Sequence, residues 1–299
     1  QTTSYTFYQD SDGDGFGSET SISVCENIQP QGYINNNTDC NDSDASIYPG
    51  ATEIEDGIDN DCDGEIDEGF NDSGTVTDQD GNTYDYLPYG DQVWTVENAE
   101  MVTYRDGTPI PQVTDPTAWQ NLTTGAWAYY NNDSTKQRLF NWYAVMGIHD
   151  NNSNTPNKEF APEGWHVPSD PEWSILVEYL IANGYNYDGS SYSCSPCPQG
   201  YNKIAKAMAS TTGWNSSIYT GATGNDQSLN NDSGFNALPV GDRRYIGSFL
   251  DEGRLAFFWS STEISAGVAL NRFLKNEYNF LVIGDDVKQG GFSVRFVRD

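Results

Sequence analysis

The pattern of apolar and polar positions divides this 299-residue chain near residue 75. Before that point apolar residues are sparse. The one regular alternation lies in residues 1–9, where Tyr5 and Phe7 alternate with Thr6 and Tyr8 and predict a short strand. Residues 10–70 show no helical period, so they predict an irregular segment with too little apolar surface to fold alone. Metal ions and a disulfide are expected to support it.

After residue 75 the pattern predicts regular elements and a core rich in aromatic residues. The clearest is a helix over residues 171–182, with Ser169 or Asp170 at its N-cap, Pro171 in its first turn and Asn183-Gly184 at its end. Its buried stripe is predicted to be Trp173, Leu176, Val177 and Leu180. The other predicted elements are short: helices over 119–122, 140–145 and 201–210, and strands over 75–79, 83–88, 92–96, 257–260, 271–274, 280–283 and 292–297. This mixture predicts the α+β class.

The charge distribution follows the same division. The net charge is -30, and the first 70 residues hold seventeen Asp or Glu and no Lys or Arg. Nucleic acid and anionic membrane surfaces are therefore unexpected partners, because both need clustered basic residues. No apolar run approaches the roughly 20 residues of a membrane span. The Thr-rich start at Gln1 and the five cysteines favour a secreted or cell-surface protein.

Carboxylates recur at alternate positions within the acidic segment. Residues 10–15 and 59–64 both read D-x-D-x-D-G. In this spacing alternate side chains converge on one centre and the glycine permits a sharp turn, a pattern typical of a loop that wraps Ca²⁺. Magnesium fits less well because it keeps several waters. An acidic, solvated turn is the alternative interpretation.

This spacing predicts two calcium sites and offers a third. The first would use Asp10, Asp12 and Asp14, the Phe16 carbonyl, and Ser18 or Glu19. The second would use Asp59, Asp61, Asp63, the Glu65 carbonyl and Asp67. The weaker third set is Asp39, Asp42 and Asp44.

The acidic segment also resembles a known family. Residues 8–69, with their Asp-rich loops and the Tyr48-Pro49-Gly50-Ala51 turn, resemble the metal-binding repeat of bacterial surface proteins. They are similar to thrombospondin type-3 calcium repeats as well. In the metal-binding family the position of Glu55 usually carries a cysteine that pairs with the one matching Cys62. This chain departs from that pattern.

The departure leaves the cysteine pairing open. Cys25 and Cys40 can still pair, and Cys194 and Cys197 are expected to pair locally or to cap a loop. Cys62 is then left over, as a buried free thiol, an intermolecular link or a member of another pair. Zinc is not favoured, since Cys194 and Cys197 lack a second ligand pair.

The second part of the chain resembles the Fibrobacter succinogenes major paralogous domain. The resemblance rests on Asp80–Tyr84, Asn141–Val145, Gly164–Asp170, Glu172-Trp173, Ser233–Phe235, Ala237–Pro239, Trp259–Glu263, Gly291–Arg295 and Val297–Asp299. It implies a C-type-lectin-like fold of the branch shared with formylglycine-generating enzymes, and no defined activity. We therefore expect a small irregular calcium-loop domain (residues 1–70), a linker (71–74) and a C-type-lectin-like domain (75–299).

Catalytic patterns are weak. His166 is the main candidate for a ligand or general base, but a hydrogen-bonding structural role is the favoured interpretation. Formylglycine-generating chemistry needs reactive cysteines near the C-terminal part of the fold, and Phe296 stands at the family's frequent cysteine position. The aromatic residues of the polar loops are interpreted as core rather than as a sugar platform. They are Trp119, Trp127, Tyr129, Tyr130, Trp214 and Tyr219.

Three hypotheses of function follow. The preferred one is a non-enzymatic surface protein, with a calcium-rigidified support, that adheres to a glycan or a surface protein. The second is a subunit that self-associates into fibres by adding its N-terminal strand to a neighbour's sheet. The third, an enzyme of the formylglycine-generating type, is disfavoured.

Overall fold

The computed structural model describes residues 3–54, 56–64, 66, 73–191 and 202–299. The chain forms two compact units, unit 1 (Gln1–Asp72) and unit 2 (Ser73–Asp299). No described helix has the length and hydropathy that crossing a membrane requires. Glu65, Asp67, Cys194 and Cys197 lie outside the described residues, so the predictions made for them stay predictions.

Unit 1 is built on a small antiparallel sheet. Its strands are β1 (Tyr5–Gln9), β2 (Ser21–Val24) and β3 (Tyr33–Ile34), in the order β2-β1-β3. Among the described residues of this unit, only Phe7 and Ile47 are buried apolar side chains, and the Phe16 ring stacks on Tyr48 with centroids 5.5 Å apart. Two buried side chains remove too little apolar surface from water to stabilise a fold of this size.

The position of β1 bears on the strand-donation hypothesis. β1 forms as predicted, but it is the central strand, paired with β2 through Tyr5–Tyr8 and with β3 through Tyr8 and Gln9. To add this strand to a neighbouring molecule, the protein would first have to break both ladders. The structure therefore gives no support to donation of Tyr5–Gln9.

The disulfide of unit 1 differs from the expected pairing. Cys40 bonds to Cys62, whereas Cys25 is an exposed free thiol at the end of β2. The expected Cys25–Cys40 pair and the leftover Cys62 were wrong. The reason is the path of the chain: Tyr48 N–H donates to the Asn60 carbonyl at 3.0 Å, and Gly50 N–H to the Asp61 carbonyl at 3.1 Å. These bonds hold the loop carrying Cys62 against the segment that follows Cys40.

Unit 2 is mostly sheet, with few and short helices. Its strands are β4 (Gly74–Thr77), β5 (Thr83–Tyr89), β6 (Gln92–Thr95), β7 (Trp127–Tyr129), β8 (Arg138–Phe140), β9 (Trp165–His166), β10 (Asp242–Arg243), β11 (Phe249–Leu250), β12 (Leu255–Ser265), β13 (Val268–Lys275), β14 (Val282–Val287) and β15 (Val297–Arg298). They form sheets β4-β5-β6-β15-β9 and β12-β13-β14, and ribbons β7-β8 and β10-β11. All of these strand pairs are antiparallel.

The helices of unit 2 are α1 (Pro116–Gln120), α2 (Trp142–Val145), α3 (Asp170–Ala182) and α4 (Ala205–Met208). Among the described helices only α3 exceeds two turns, and it begins with the capping box of Ser169 and Glu172. Its predicted apolar stripe is buried, which confirms the pattern. The predicted strand over 292–297 was wrong in extent: Phe292 and Ser293 make isolated bridges, and regular pairing begins at Val297.

The core of unit 2 is aromatic. Trp94 and Trp173 pack with ring centroids 4.7 Å apart, and Trp259 and Phe292 at 4.3 Å. Most of the loop aromatics belong to this interior, as favoured from the sequence: Trp119, Trp127, Tyr130 and Trp214 are buried, Tyr129 is half-buried, and Tyr219 is exposed. Tyr219 alone of that set is open to a partner.

Candidate metal centre

The first acidic loop curls its carboxylates inward. Gly13 N–H donates to Asp10 Oδ1 at 2.8 Å, and Phe16 N–H donates to Asp14 Oδ1 at 2.8 Å. Gly13 and Gly15 have φ of 86° and 97°, a left-handed backbone that glycine adopts without strain. One oxygen of each of Asp10, Asp12 and Asp14 lies within 4.8 Å of the others. Such a separation suits oxygens that surround one hard divalent cation.

A second segment closes on this loop. Asp39 N–H donates to the Gly17 carbonyl at 3.1 Å, and Ser11 N–H donates to Asp42 Oδ1 at 2.6 Å. Oxygens of Asp12, Asp39 and Asp42 therefore also lie within 4.8 Å of one another. We call the five carboxylates of Asp10, Asp12, Asp14, Asp39 and Asp42 cluster A. Asp39 and Asp42 join the first loop instead of forming a separate set with Asp44.

Several oxygens in cluster A are buried without a partner. Asp12 Oδ2, Asp14 Oδ2 and Asp39 Oδ2 are inaccessible to solvent and make no hydrogen bond. Burial raises the pKa of Asp14 and of Asp39, and repulsion from the neighbouring carboxylates raises both further. An ionised cluster of this kind is unfavourable without a cation, and the donor set of carboxylate oxygens fits a hard divalent ion.

The remaining residues predicted for the first and third sites are not members of cluster A. Asp44 accepts from Ser46 N–H at 3.1 Å and faces solvent, so it is not part of cluster A. Glu19 is exposed. Ser18 lies beside the cluster, with its Oγ 2.9 Å from Asp42 Oδ2. Phe16 follows the loop directly and is half-buried.

A second group, cluster B, consists of Glu53, Asp59 and Asp61, whose carboxylate oxygens lie within 4.8 Å of one another. Asp59 Oδ2 accepts from Gly64 N–H at 3.0 Å, and Glu53 Oε1 accepts from Asp61 N–H at 2.8 Å. Among the described residues Asp63 is not a member of this group. The sequence interpretation missed Glu53, because it lies six positions before Asp59 and outside the D-x-D-x-D-G spacing.

Two family models match the chain. Residues 39–68, which contain cluster B and part of cluster A, match a family described as "Putative metal-binding motif". Residues 87–298, more than half of the chain, match the Fibrobacter succinogenes major domain. The chain belongs to the Fibrobacter succinogenes major domain family. No curated protein and no solved structure matches it.

Within this Fibrobacter succinogenes major domain, His166 is bound on both sides. Its Nε2 lies 2.6 Å from Glu172 Oε1 and its Nδ1 lies 2.6 Å from Asp299 Oδ1. The bond to Glu172 raises the pKa of His166, with Asp299 contributing, and the pKa of Glu172 falls to about 2. Each ring nitrogen therefore lies within hydrogen-bonding distance of a carboxylate, and the raised pKa favours the protonated ring. The contacts are those of an ion pair that fixes the start of α3 to β9.

The His166 ion pair predicts a pH-dependent stability. Because the folded pKa of His166 lies above 6.5, its contribution is complete below pH 6.5 and is lost as the pH rises through the folded value. The Glu172 contribution is present above pH 4.5 and is lost as the pH falls towards about 2. His166→Gln should therefore lower the urea midpoint of the major domain most between these limits, and less at about pH 9.

The control for this prediction is the same substitution made in a Glu172→Gln/Asp299→Asn background. There the pH-dependent part of the effect should vanish. A loss of stability that is equal at all pH values in both backgrounds would show that His166 acts by packing alone.

Proposed function

We propose that the protein is a secreted, calcium-stabilised protein of the bacterial cell surface, non-enzymatic, which acts in adhesion. The observation that carries this proposal is the convergence of buried, unpartnered carboxylate oxygens in a unit with only two described buried apolar side chains. The metal-binding and Fibrobacter domain matches support the same two-part architecture.

Calcium is the proposed metal because every ligand offered by clusters A and B is a carboxylate oxygen. Calcium takes six to eight such oxygens in flexible geometry, whereas magnesium requires near-ideal octahedral geometry and retains waters. Zinc and copper favour nitrogen or sulfur ligands. The cysteines beside cluster A are joined in a disulfide, so they offer no thiolate.

A non-enzymatic role for unit 2 is supported by what its candidate groups do. The His166 ring is fixed between two carboxylates. By the resemblance, Phe296 stands at the family's frequent cysteine position, and its side chain is buried. A C-type-lectin-like fold, implied by the resemblance, remains our proposal for this unit. A fold of that type would serve to present loops to a partner.

Glycan is the proposed ligand class, with a bacterial surface protein as the other outcome. Two adjoining surface cavities of unit 2, about 560 Å³ and about 400 Å³, share His149, Thr155 and Asn157 in their walls. Amide, hydroxyl and imidazole groups suit hydrogen bonding to sugar hydroxyls. With a net charge of -30, nucleic acid is not proposed as a partner.

Binding of the full chain to immobilised glycans and to bacterial envelopes tests the proposal. We expect binding that Asn157→Ala weakens about tenfold, since one hydrogen bond to the ligand is lost. Asn154→Ala is the matched control, because Asn154 lies in the same loop but lines neither cavity. Absence of binding at every calcium concentration would contradict adhesion. Ordered polymers in electron micrographs would favour a fibre subunit instead.

A further inference from the structure

Cluster A draws its buried ligands from two distant parts of the chain. Asp12 and Asp14 belong to the first acidic loop, whereas Asp39 comes 25 residues later. The family match begins at residue 39, so the first loop lies outside it. Each of these three residues contributes one Oδ2 atom that is buried and makes no hydrogen bond.

Asp39 is the decisive member of this set. Its side chain is 9% exposed, although the unit around it has little core. Asp39 Oδ1 accepts from Asn41 N–H at 2.8 Å, and one oxygen of this carboxylate lies within 4.8 Å of oxygens of Asp12 and Asp42. A buried charged oxygen without a partner is costly unless a cation compensates it. An ion bound by the first loop alone would leave Asp39 Oδ2 uncompensated.

The disulfide begins at the residue that follows Asp39. Cys40 is bonded to Cys62, and the loop of Cys62 is in turn anchored by the Tyr48–Asn60 and Gly50–Asp61 backbone hydrogen bonds. Two contacts therefore constrain the position of Asp39. Its own N–H donates to the Gly17 carbonyl, and the next residue, Cys40, is held by the disulfide. A ligand held in place before the ion arrives loses less conformational entropy on binding.

We infer that one divalent cation is held between the two loops by Asp12, Asp14 and Asp39, at a site that the Cys40–Cys62 disulfide pre-organises. Asp10 converges with Asp12 and Asp14, and Asp42 converges with Asp12 and Asp39, so Asp12 is common to the two groups of carboxylates. The identity of the ion as calcium rests on the proposed function. The choice of ligand residues rests instead on the positions of their carboxylate oxygens. This assignment replaces one site per loop with one site per pair of loops.

Calcium titration of the full, chelator-treated chain by calorimetry and native mass spectrometry tests the assignment. Asp39→Asn should remove one bound calcium, and Asp12→Asn should remove the same one. Asp44→Asn is the matched control, since Asp44 is an exposed carboxylate of the same segment that bonds only locally to Ser46. It should bind calcium as the wild type does. The Cys40→Ser/Cys62→Ser variant should keep the stoichiometry and lose about tenfold in affinity at this site.

The outcomes separate the two proposals. Calcium binding by the wild type that both Asp39→Asn and Asp12→Asn leave unchanged would overturn the shared site and leave the calcium proposal standing. If the wild type bound no calcium, the proposal that calcium stabilises the protein would be contradicted. Unchanged affinity in the double cysteine variant would overturn the role of the disulfide. Asp12 is only half-buried, so Asp12→Asn remains a usable test if Asp39→Asn does not fold.

Discussion

Removing calcium with a chelator should unfold unit 1 and leave unit 2 folded. Unit 1 buries only Phe7 and Ile47 among its described apolar side chains, while cluster A places five carboxylates together. An ion present at a thousand times its dissociation constant stabilises the folded state by about 4 kcal/mol. That is a large part of the stability of a small domain. Amide hydrogen exchange of peptides from β1 to β3 measures the loss directly.

The same experiment contains its controls. Readdition of calcium should restore protection in unit 1, whereas magnesium should restore less. Peptides from α3 and β13 should keep their protection throughout, because the major domain has its own core. Full protection of β1 in the presence of chelator would show that unit 1 is stable without metal.

The second large effect is expected at Arg295, which is almost fully buried. Its Nε donates to Asn98 Oδ1 at 2.8 Å, its Nη1 to the Thr95 carbonyl at 3.1 Å and its Nη2 to the Asn236 carbonyl at 3.1 Å. Arg295→Met leaves these three acceptors without that donor. Each unsatisfied buried group costs about 1–3 kcal/mol, so we expect unit 2 to lose about 3–5 kcal/mol in equilibrium urea unfolding.

Arg254→Met is the comparison for this prediction. Arg254 forms a surface ion pair with Asp251, and its side chain is 49% exposed. Exposed pairs contribute about 0–1 kcal/mol, so this variant should stay close to the wild type. If both variants lost equally little stability, the hydrogen bonds from the Arg295 guanidinium to β6 and to Asn236 would not stabilise unit 2. Burial lowers the pKa of Arg295 to about 9, so it remains charged at neutral pH.

Local signals in the sequence were sufficient for α3 and for the first acidic loop. The α3 helix has a capping box, a proline in its first turn and a 3.6-residue apolar period, which all depend on neighbours within a turn or two. The D-x-D-x-D-G spacing likewise fixes its own curl through hydrogen bonds between residues two or three apart. Such features require no knowledge of the tertiary structure.

Features set by distant contacts could not be predicted in the same way. Asp39 is held beside the first loop by the bond from its N–H to the Gly17 carbonyl, and Glu53 reaches cluster B across a chain reversal. The apolar stretch 292–297 alternates like a strand, yet Phe292 packs against Trp259 in the core and regular pairing starts only at Val297. The burial of Arg295 could not be predicted from the sequence either, because arginine is usually a surface residue.

The cysteine pairing shows how one substitution misleads a family-based expectation. With Glu55 in place of the family's usual cysteine, the sequence allows Cys25 to pair with Cys40, which leaves Cys62 over. The structure joins Cys40 to Cys62 and leaves Cys25 exposed. Proximity along the folded chain, set by the hydrogen bonds of Tyr48 and Gly50, decides the pairing.

A crystal structure of the full chain grown with calcium tests the central claim most directly. We expect an anomalous peak in cluster A, with Asp12, Asp14 and Asp39 oxygens about 2.3–2.6 Å from the ion. Oxygens from both loops should therefore coordinate the same ion. A map with no peak in cluster A, or with a peak that Asp39 does not contact, would contradict it.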